Sequence, residues 1–216
     1  MVSGPERSAP AWERVARRTA DILIAGSALL VLSPVMVIIA VVIRSTSPGP
    51  ALFKQRRAGL ARQPFTCFKF RTMRVGVDDT ALRELIDREL RGEDVSSQGS
   101  WKIADDSRVT GFGAFLRKIS VDELPQLFNV LRGDMGVVGP RPLPVWQVEM
   151  LPREFDERFT VRPGITGLWQ VNGRSTMGTM DMLRLDVRYV RQRTLRGDVA
   201  IVARTIPVLL RRDGAR

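Results

Sequence analysis

An α+β, mostly helical fold is predicted for this 216-residue chain. It comprises a kinked, re-entrant N-terminal membrane helix and a compact cytosolic domain with a short β-hairpin and interfacial amphipathic helices. Three observations predict it. Residues 22–43 form a run of 22 residues without a charge, interrupted by Ser33-Pro34. Apolar and basic residues alternate on both sides of the Gly-Leu-Ala-Arg sequence at 59–62. Beyond residue 78, apolar residues recur with helical period in several separate stretches.

Residues 1–11 are polar and proline-containing and read as a flexible tail. The membrane helix is assigned to 12–46 and the cytosolic domain to 47–212. The apolar run is long for a signal peptide, and no small-residue cleavage site follows it. Proline at position 34 removes a backbone donor and disfavours helical geometry at Ser33, so a kink is expected there. Arg14, Arg17 and Arg18 precede the run, and eight basic residues with no acidic one lie between Arg44 and Arg74. Both flanks therefore prefer the cytoplasmic side. A bent helix dipping into one leaflet satisfies both observations; a kinked full span is the alternative.

The net charge of +11 calls for an anionic partner. Because the basic block adjoins the apolar run, anionic lipid and phosphorylated substrate fit better than nucleic acid, for which aromatic interleaving is missing. The chain has one cysteine, Cys67, and no histidine. An internal disulfide, Cys/His zinc ligation and histidine-based nucleophile systems are thereby excluded, leaving acid, base or nucleophile duty to carboxylates, Lys or Tyr. Oxygen ligation of a hard cation stays open.

Within the cytosolic part, residues 47–73 are read as the hairpin, with Lys54, Arg56, Lys69 and Arg71 near the membrane surface. Residues 78–90 are read as a polar helix. Asp105 and Asp106 read as a turn or cap, and Gly111 and Gly113 as turn residues. Ser120-x-x-Glu123 fits a capping box, with Asp122 as the alternative cap. The helix it opens carries Leu124, Leu127, Phe128 and Leu131 on one face and stops at Gly133, with Pro125 in or near its first turn. Asp122 and Glu123 then stand at a helix N-terminus, where a dipole favours negative charge. Their side chains point about 100° apart, so one could attack while the other holds a metal. The glycines of 133–142 would let backbone approach a phosphate, and 161–174 reads as loop. Met180 to Arg193 forms an amphipathic helix with Leu183, Val187 and Val190 on its apolar face. Gly197 to Arg212 forms another, too short to span and expected at the interface.

Five segments in order, KFRTM (69–73), LRKISVDELPQLFNVLRGDM (116–135), VVGPRP (137–142), RPGITGLWQVNGR (162–174) and LDVRYV (185–190), resemble the bacterial sugar transferases. More narrowly, they resemble the monotopic polyprenyl-phosphate phosphoglycosyl transferases, over roughly residues 12 to 210. The resemblance implies transfer of a sugar 1-phosphate from a nucleotide diphosphate sugar, usually a UDP-sugar, to polyprenyl phosphate with release of UMP, at the cytoplasmic face of the bacterial inner membrane. It implies Asp122 as the nucleophile that forms a covalent phospho-sugar intermediate, Glu123 as the Mg²⁺ ligand, and Ser33-Pro34 as the kink of the re-entrant helix. A carboxylate needs no neighbouring base for that attack, which suits a chain without histidine. Lys69, Arg71, Arg117 and Arg141 are the cations expected around the phosphates, and Trp169 is expected in the core. Gly136 and Thr194 stand where the relatives commonly carry Ser, and the several N-terminal membrane helices of larger members are not expected. A non-catalytic membrane adaptor remains the alternative reading. The transferred sugar, the product polymer and the oligomeric state, a homodimer included, are left open.

Overall fold

The computed structural model describes residues 10–76, 80–93, 108–173 and 177–211, without the side chains of 209–211. Asp105 and Asp106 lie outside the described residues. The chain opens with α1 (Ala11–Thr46), 36 residues and about 54 Å long at 1.5 Å per residue. It is the one described helix long and apolar enough to cross a membrane. Leu23, Leu30, Val31, Val37, Ile38 and Val41 on it are exposed, while Ala25, Met36, Ile39 and Ile43 are buried against the rest of the molecule.

α1 is helical on both sides of Ser33-Pro34, the position of the expected kink. The Ser33 hydroxyl donates to the Leu30 carbonyl (3.1 Å), the acceptor that Pro34, lacking an N–H, cannot serve. The serine thus supplies locally the hydrogen bond that the proline takes away.

The expected hairpin forms from β1 (Leu52–Ala58) and β2 (Pro64–Phe70), antiparallel, with Leu52 opposite Phe70 and Ala58 opposite Pro64. A 3-10 turn, Leu60–Arg62, joins them. Next come α2 (Thr80–Leu90) and α3 (Gly111–Lys118). Gly111 and Gly113, expected in turns, sit inside α3, because the Thr110 hydroxyl caps it by accepting from Gly113 N (3.0 Å).

A 3-10 turn, Val121–Glu123, then leads through Pro125 into α4 (Gln126–Arg132). Gly133 ends α4 in the left-handed conformation (φ 87°), as expected of a terminating glycine. The expected apolar face is rotated, however. Leu127 and Val130 are buried, whereas Phe128 and Leu131 are exposed, because α4 packs on α1 and β2 through Leu127, Val130 and Asn129.

Beyond α4, a second sheet that the sequence did not suggest pairs β3 (Gly136–Val138) in parallel with β4 (Gly164–Thr166); α5 (Val145–Glu149) and a long 3-10 helix, Arg153–Thr160, lie between them. Gly139 and Gly164 approach so closely that a Cβ on either would collide with the other's backbone. The glycines of this region therefore serve strand packing first. The segment expected to be a loop carries β4 and the short helix α6 (Leu168–Asn172).

The last two described helices are α7 (Thr179–Arg191) and α8 (Leu195–Arg211). Leu183, Val187 and Val190 of α7 are buried as their spacing predicts. Ile201 of α8 is buried and Ile206 exposed. The core lies where α7, α6, α5 and the Arg153–Thr160 helix meet, around Leu183, Trp169, Leu143 and Phe159.

Candidate active site

Strand periodicity builds the first part of the site. Phe65, Cys67 and Lys69 share one face of β2, with Phe65 and Cys67 buried, so the alternation carries Lys69 inward with them. The pairing register sets Gln55 and Arg57 of β1 on the same face. Of the four hairpin cations expected at the surface, Lys54 and Arg56 are exposed, but Lys69 reaches the Glu123 carboxylate.

The carboxylate pair is held differently from expectation. Ser120 adopts a left-handed conformation (φ 58°) and does not cap with its side chain, and Pro125 occupies the N-cap of α4. Asp122 and Glu123 consequently sit in the 3-10 turn before the helix, outside its first turn. Basic side chains, not a helix dipole, provide the compensation. Glu123 Oε1 accepts from Lys69 Nζ (2.6 Å) and from Arg141 Nη2 (3.0 Å). Asp122 is buried, and no hydrogen bond from a described residue reaches its carboxylate.

These environments push the two acids apart. Burial pushes the Asp122 carboxyl up from its ordinary value; Lys69 opposes this, and the Glu123 charge adds to it. Burial acts upward on Glu123 too, but Arg141 and then Lys69 more than offset it and hold Glu123 well below the usual carboxylate range. Burial lowers the Lys69 ammonium, with Glu123 working against the shift.

Arg141 is held from behind. Its carbonyl accepts from Arg158 Nη2 (2.7 Å), and the same nitrogen donates to Asp186 Oδ2 (2.6 Å) in a fully buried ion pair between the Arg153–Thr160 helix and α7. The Arg141 guanidinium lies 5.7 Å from the Trp169 ring centroid, so Trp169 is at once core packing and a wall beside that cation. Arg57 Nη1 donates to the Pro142 carbonyl (2.5 Å) and contributes positive charge near Glu123.

Lys69, Arg141, Asp122 and Glu123 are therefore brought together. Arg117 lies at the edge of the group, exposed, near enough to act on the Asp122 charge, with Nε donating to Thr72 Oγ1 (2.9 Å). Arg71 does not join them. It is buried, and its guanidinium donates to the carbonyls of Ser47 (2.9 Å), Pro48 and Ile43 and to the Ser47 hydroxyl (2.9 Å), closing the C-terminus of α1. Sequence reasoning missed Arg57, Arg158 and Asp186. Asp186 left a readable trace, an acid on the otherwise apolar stripe of Leu183, Val187 and Val190.

Among the described residues no cluster of three or more Cys, Asp or Glu side chains could cage a metal. Both donors to Glu123 bind Oε1, which leaves Oε2 and the Asp122 carboxylate. Two carboxylates suit Mg²⁺, which takes one or two from the protein and the rest of its oxygens from substrate phosphate and water.

The family model described as bacterial sugar transferase matches residues 12–212. The chain is 38% identical over 206 residues to the undecaprenyl-phosphate galactose phosphotransferase of Salmonella typhimurium, covering 94% of this chain and 42% of that protein. It is 39% identical over 197 residues to the exopolysaccharide production protein ExoY of Rhizobium meliloti, covering 90% and 85%. Against the UDP-glucose:undecaprenyl-phosphate glucose-1-phosphate transferase of Caulobacter vibrioides it is 39% identical over 208 residues, covering 92% and 71%. The chain thus spans less than half of the Salmonella relative and most of the Rhizobium one. With a family match along nearly its whole length and a relative of similar extent, this chain belongs to the bacterial sugar transferase family.

Proposed function

We propose that this chain moves a sugar 1-phosphate from a UDP-sugar to polyprenyl phosphate at the cytoplasmic face of the membrane, starting an exopolysaccharide or related glycoconjugate. The supporting observation is a buried Asp122 carboxylate without a hydrogen-bond donor among the described residues, next to a Glu123 clamped by Lys69 and Arg141. The names of the Salmonella and Caulobacter relatives fit both the donor and the acceptor.

In the first half-reaction an Asp122 carboxylate oxygen attacks the phosphorus that bears the sugar, and the bond from that phosphorus to the bridging oxygen breaks, releasing UMP. In the second, an oxygen of polyprenyl phosphate attacks the same phosphorus. The aspartyl bond breaks, Asp122 is regenerated, and polyprenyl diphosphate sugar results. Lys69 and Arg141 hold Glu123 ionised and place positive charge where the diphosphate must approach two acids. Arg117, at the edge, is placed to meet an incoming phosphate. Glu123, whose Oε2 both cations leave open, is the residue that would hold Mg²⁺, which when bound neutralises diphosphate charge and stabilises the departing UMP.

Reconstituted protein given Mg²⁺, polyprenyl phosphate and a panel of UDP-sugars is expected to release UMP with at least one of them. Chelation by EDTA should abolish release, and added Mg²⁺ should restore it. No UMP with any sugar would overturn the proposal.

The re-entrant topology belongs to the same reading. It is supported by contacts of both ends of α1 with the same body. Arg17 pairs with Asp198 of α8 near one end, and Arg71 of the hairpin closes the other. Single cysteines at exposed Trp12 and Ser45, in a Cys67→Ser background, are expected to be labelled from the cytoplasmic side alike. Labelling from opposite sides would establish a full span.

A further inference from the structure

The face of α1 that docks on the rest of the molecule carries two charges just before the apolar run. Arg18, Asp21 and Ala25 stand three and four residues apart, hence on one side of the helix. Ala25, wholly buried, packs among Leu127, Val130 and Met135. Arg18 forks over the C-terminus of α4, Nη1 donating to the Val130 carbonyl (2.6 Å) and Nη2 to the Leu131 carbonyl (2.7 Å). One helical turn on, Asp21 Oδ1 accepts from the Val137 amide of β3 (2.8 Å).

These contacts grip both ends of the reversal between α4 and β3. Its near arm begins just after Asp122 and Glu123, and its far arm leads within four residues to Arg141. The 3.0 Å contact between Arg141 and Glu123 closes that loop in space. Any opening of the reversal changes the spacing of the cation and the carboxylate, because α4 transmits displacement as a rigid unit.

We infer that the N-terminal turns of α1 are a positioning element of the active site, in which Arg18 and Asp21 set the distance between the Asp122–Glu123 turn and Arg141. The catalytic part of this inference rests on the proposed phosphoglycosyl transfer; the bracing part does not. The rival role for these two charges is anchoring, with Arg18 and Asp21 serving membrane retention alone.

The test uses the full chain in vesicles, with Arg18→Ala, Asp21→Ala and the conservative Asp21→Asn, whose amide oxygen can still accept from Val137. Three quantities are measured: flotation with vesicles, amide exchange over residues 130–138, and UMP release. For the two alanine variants we expect unchanged flotation and exchange faster by about tenfold or more, since fewer contacts then oppose local opening. Turnover is expected to fall about tenfold or more, with KM for the UDP-sugar within about twofold, as for lost positioning rather than lost binding. Asp21→Asn should keep most of both protection and turnover, and because it disturbs packing least it carries the test should an alanine variant fail to fold. Unchanged exchange in the alanine variants, or lost flotation with full turnover in the retained fraction, would overturn the inference. Exchange reads the brace without any substrate, so a chain inactive toward every UDP-sugar would refute the proposed reaction while leaving the brace decided by exchange.

Discussion

Asp122→Asn is expected to lower UMP release by at least about a thousandfold while leaving fold and membrane association intact, because an amide replaces the carboxylate at nearly the same volume and cannot form the acyl phosphate. Quenched wild-type protein given UDP-sugar without acceptor should carry one sugar phosphate adduct by mass spectrometry, and the variant none. A variant that kept full turnover would remove Asp122 from the chemistry. The pH dependence has a definite sign. Attack needs the ionised carboxylate, and burial pushes Asp122 up from its ordinary value. Activity should therefore fall on the acid side at a pH above the ordinary range of an aspartate. Lys69 is the strongest influence opposing that rise. Lys69→Gln should move the acid limb further up in pH in a rate profile.

The second large effect is on stability. Asp186→Ala is expected to cost about 3–5 kcal/mol, since it leaves the Arg158 guanidinium buried without its counter-charge. In a domain of this size that corresponds to a melting temperature lower by about 6–20 °C, readable by thermal unfolding in detergent. The double variant Arg158→Met/Asp186→Leu should recover much of this loss, because an apolar pair of similar volume avoids the desolvation of two ions. Turnover should not recover with it, as the Arg141 carbonyl would still lack the Arg158 donor that holds it at 2.7 Å. Recovery of stability and turnover together would mean that the ion pair serves packing alone.

Glu123 adds a smaller pH-dependent contribution. Held below its ordinary value of 4.5, its carboxyl gives stability that is complete above that pH and lost as the pH falls toward its folded-state value.

Much of the architecture was legible from local pattern. The uncharged run gave one long helix, alternation gave a hairpin with the expected turn, and Gly133 stopped α4, each a rule acting within a few residues. The β3–β4 pair was not legible, since strands of three residues containing glycine leave no periodic trace and their partner lies 28 positions away. At Pro34, the position of the expected kink, α1 stays helical on both sides, and Ser33 donates to the Leu30 carbonyl that the proline cannot serve.

The candidacy of the carboxylate pair came from the sequence itself. The absence of histidine pointed to carboxylates, Lys or Tyr, and the ordered motifs around Asp122 and Glu123 singled out that pair. Only the tertiary structure decided what holds those acids. A capping box suggested a helix dipole, but Pro125 took the cap, and compensation came from Lys69, 54 residues earlier, and Arg141, 18 residues later. Of the four expected cations, Arg117 and Arg141 were favoured by their nearness to the pair in sequence, and Lys69 joins them in space. Arg71 went to the end of α1 because it follows the last residue of β2, where its amide donates to the Ala51 carbonyl (2.8 Å) and its guanidinium meets orphaned carbonyls. Charge type is a property of a residue, whereas the partner of a charge depends on which distant segments packing brings within about 3 Å, and periodicity carries no record of that.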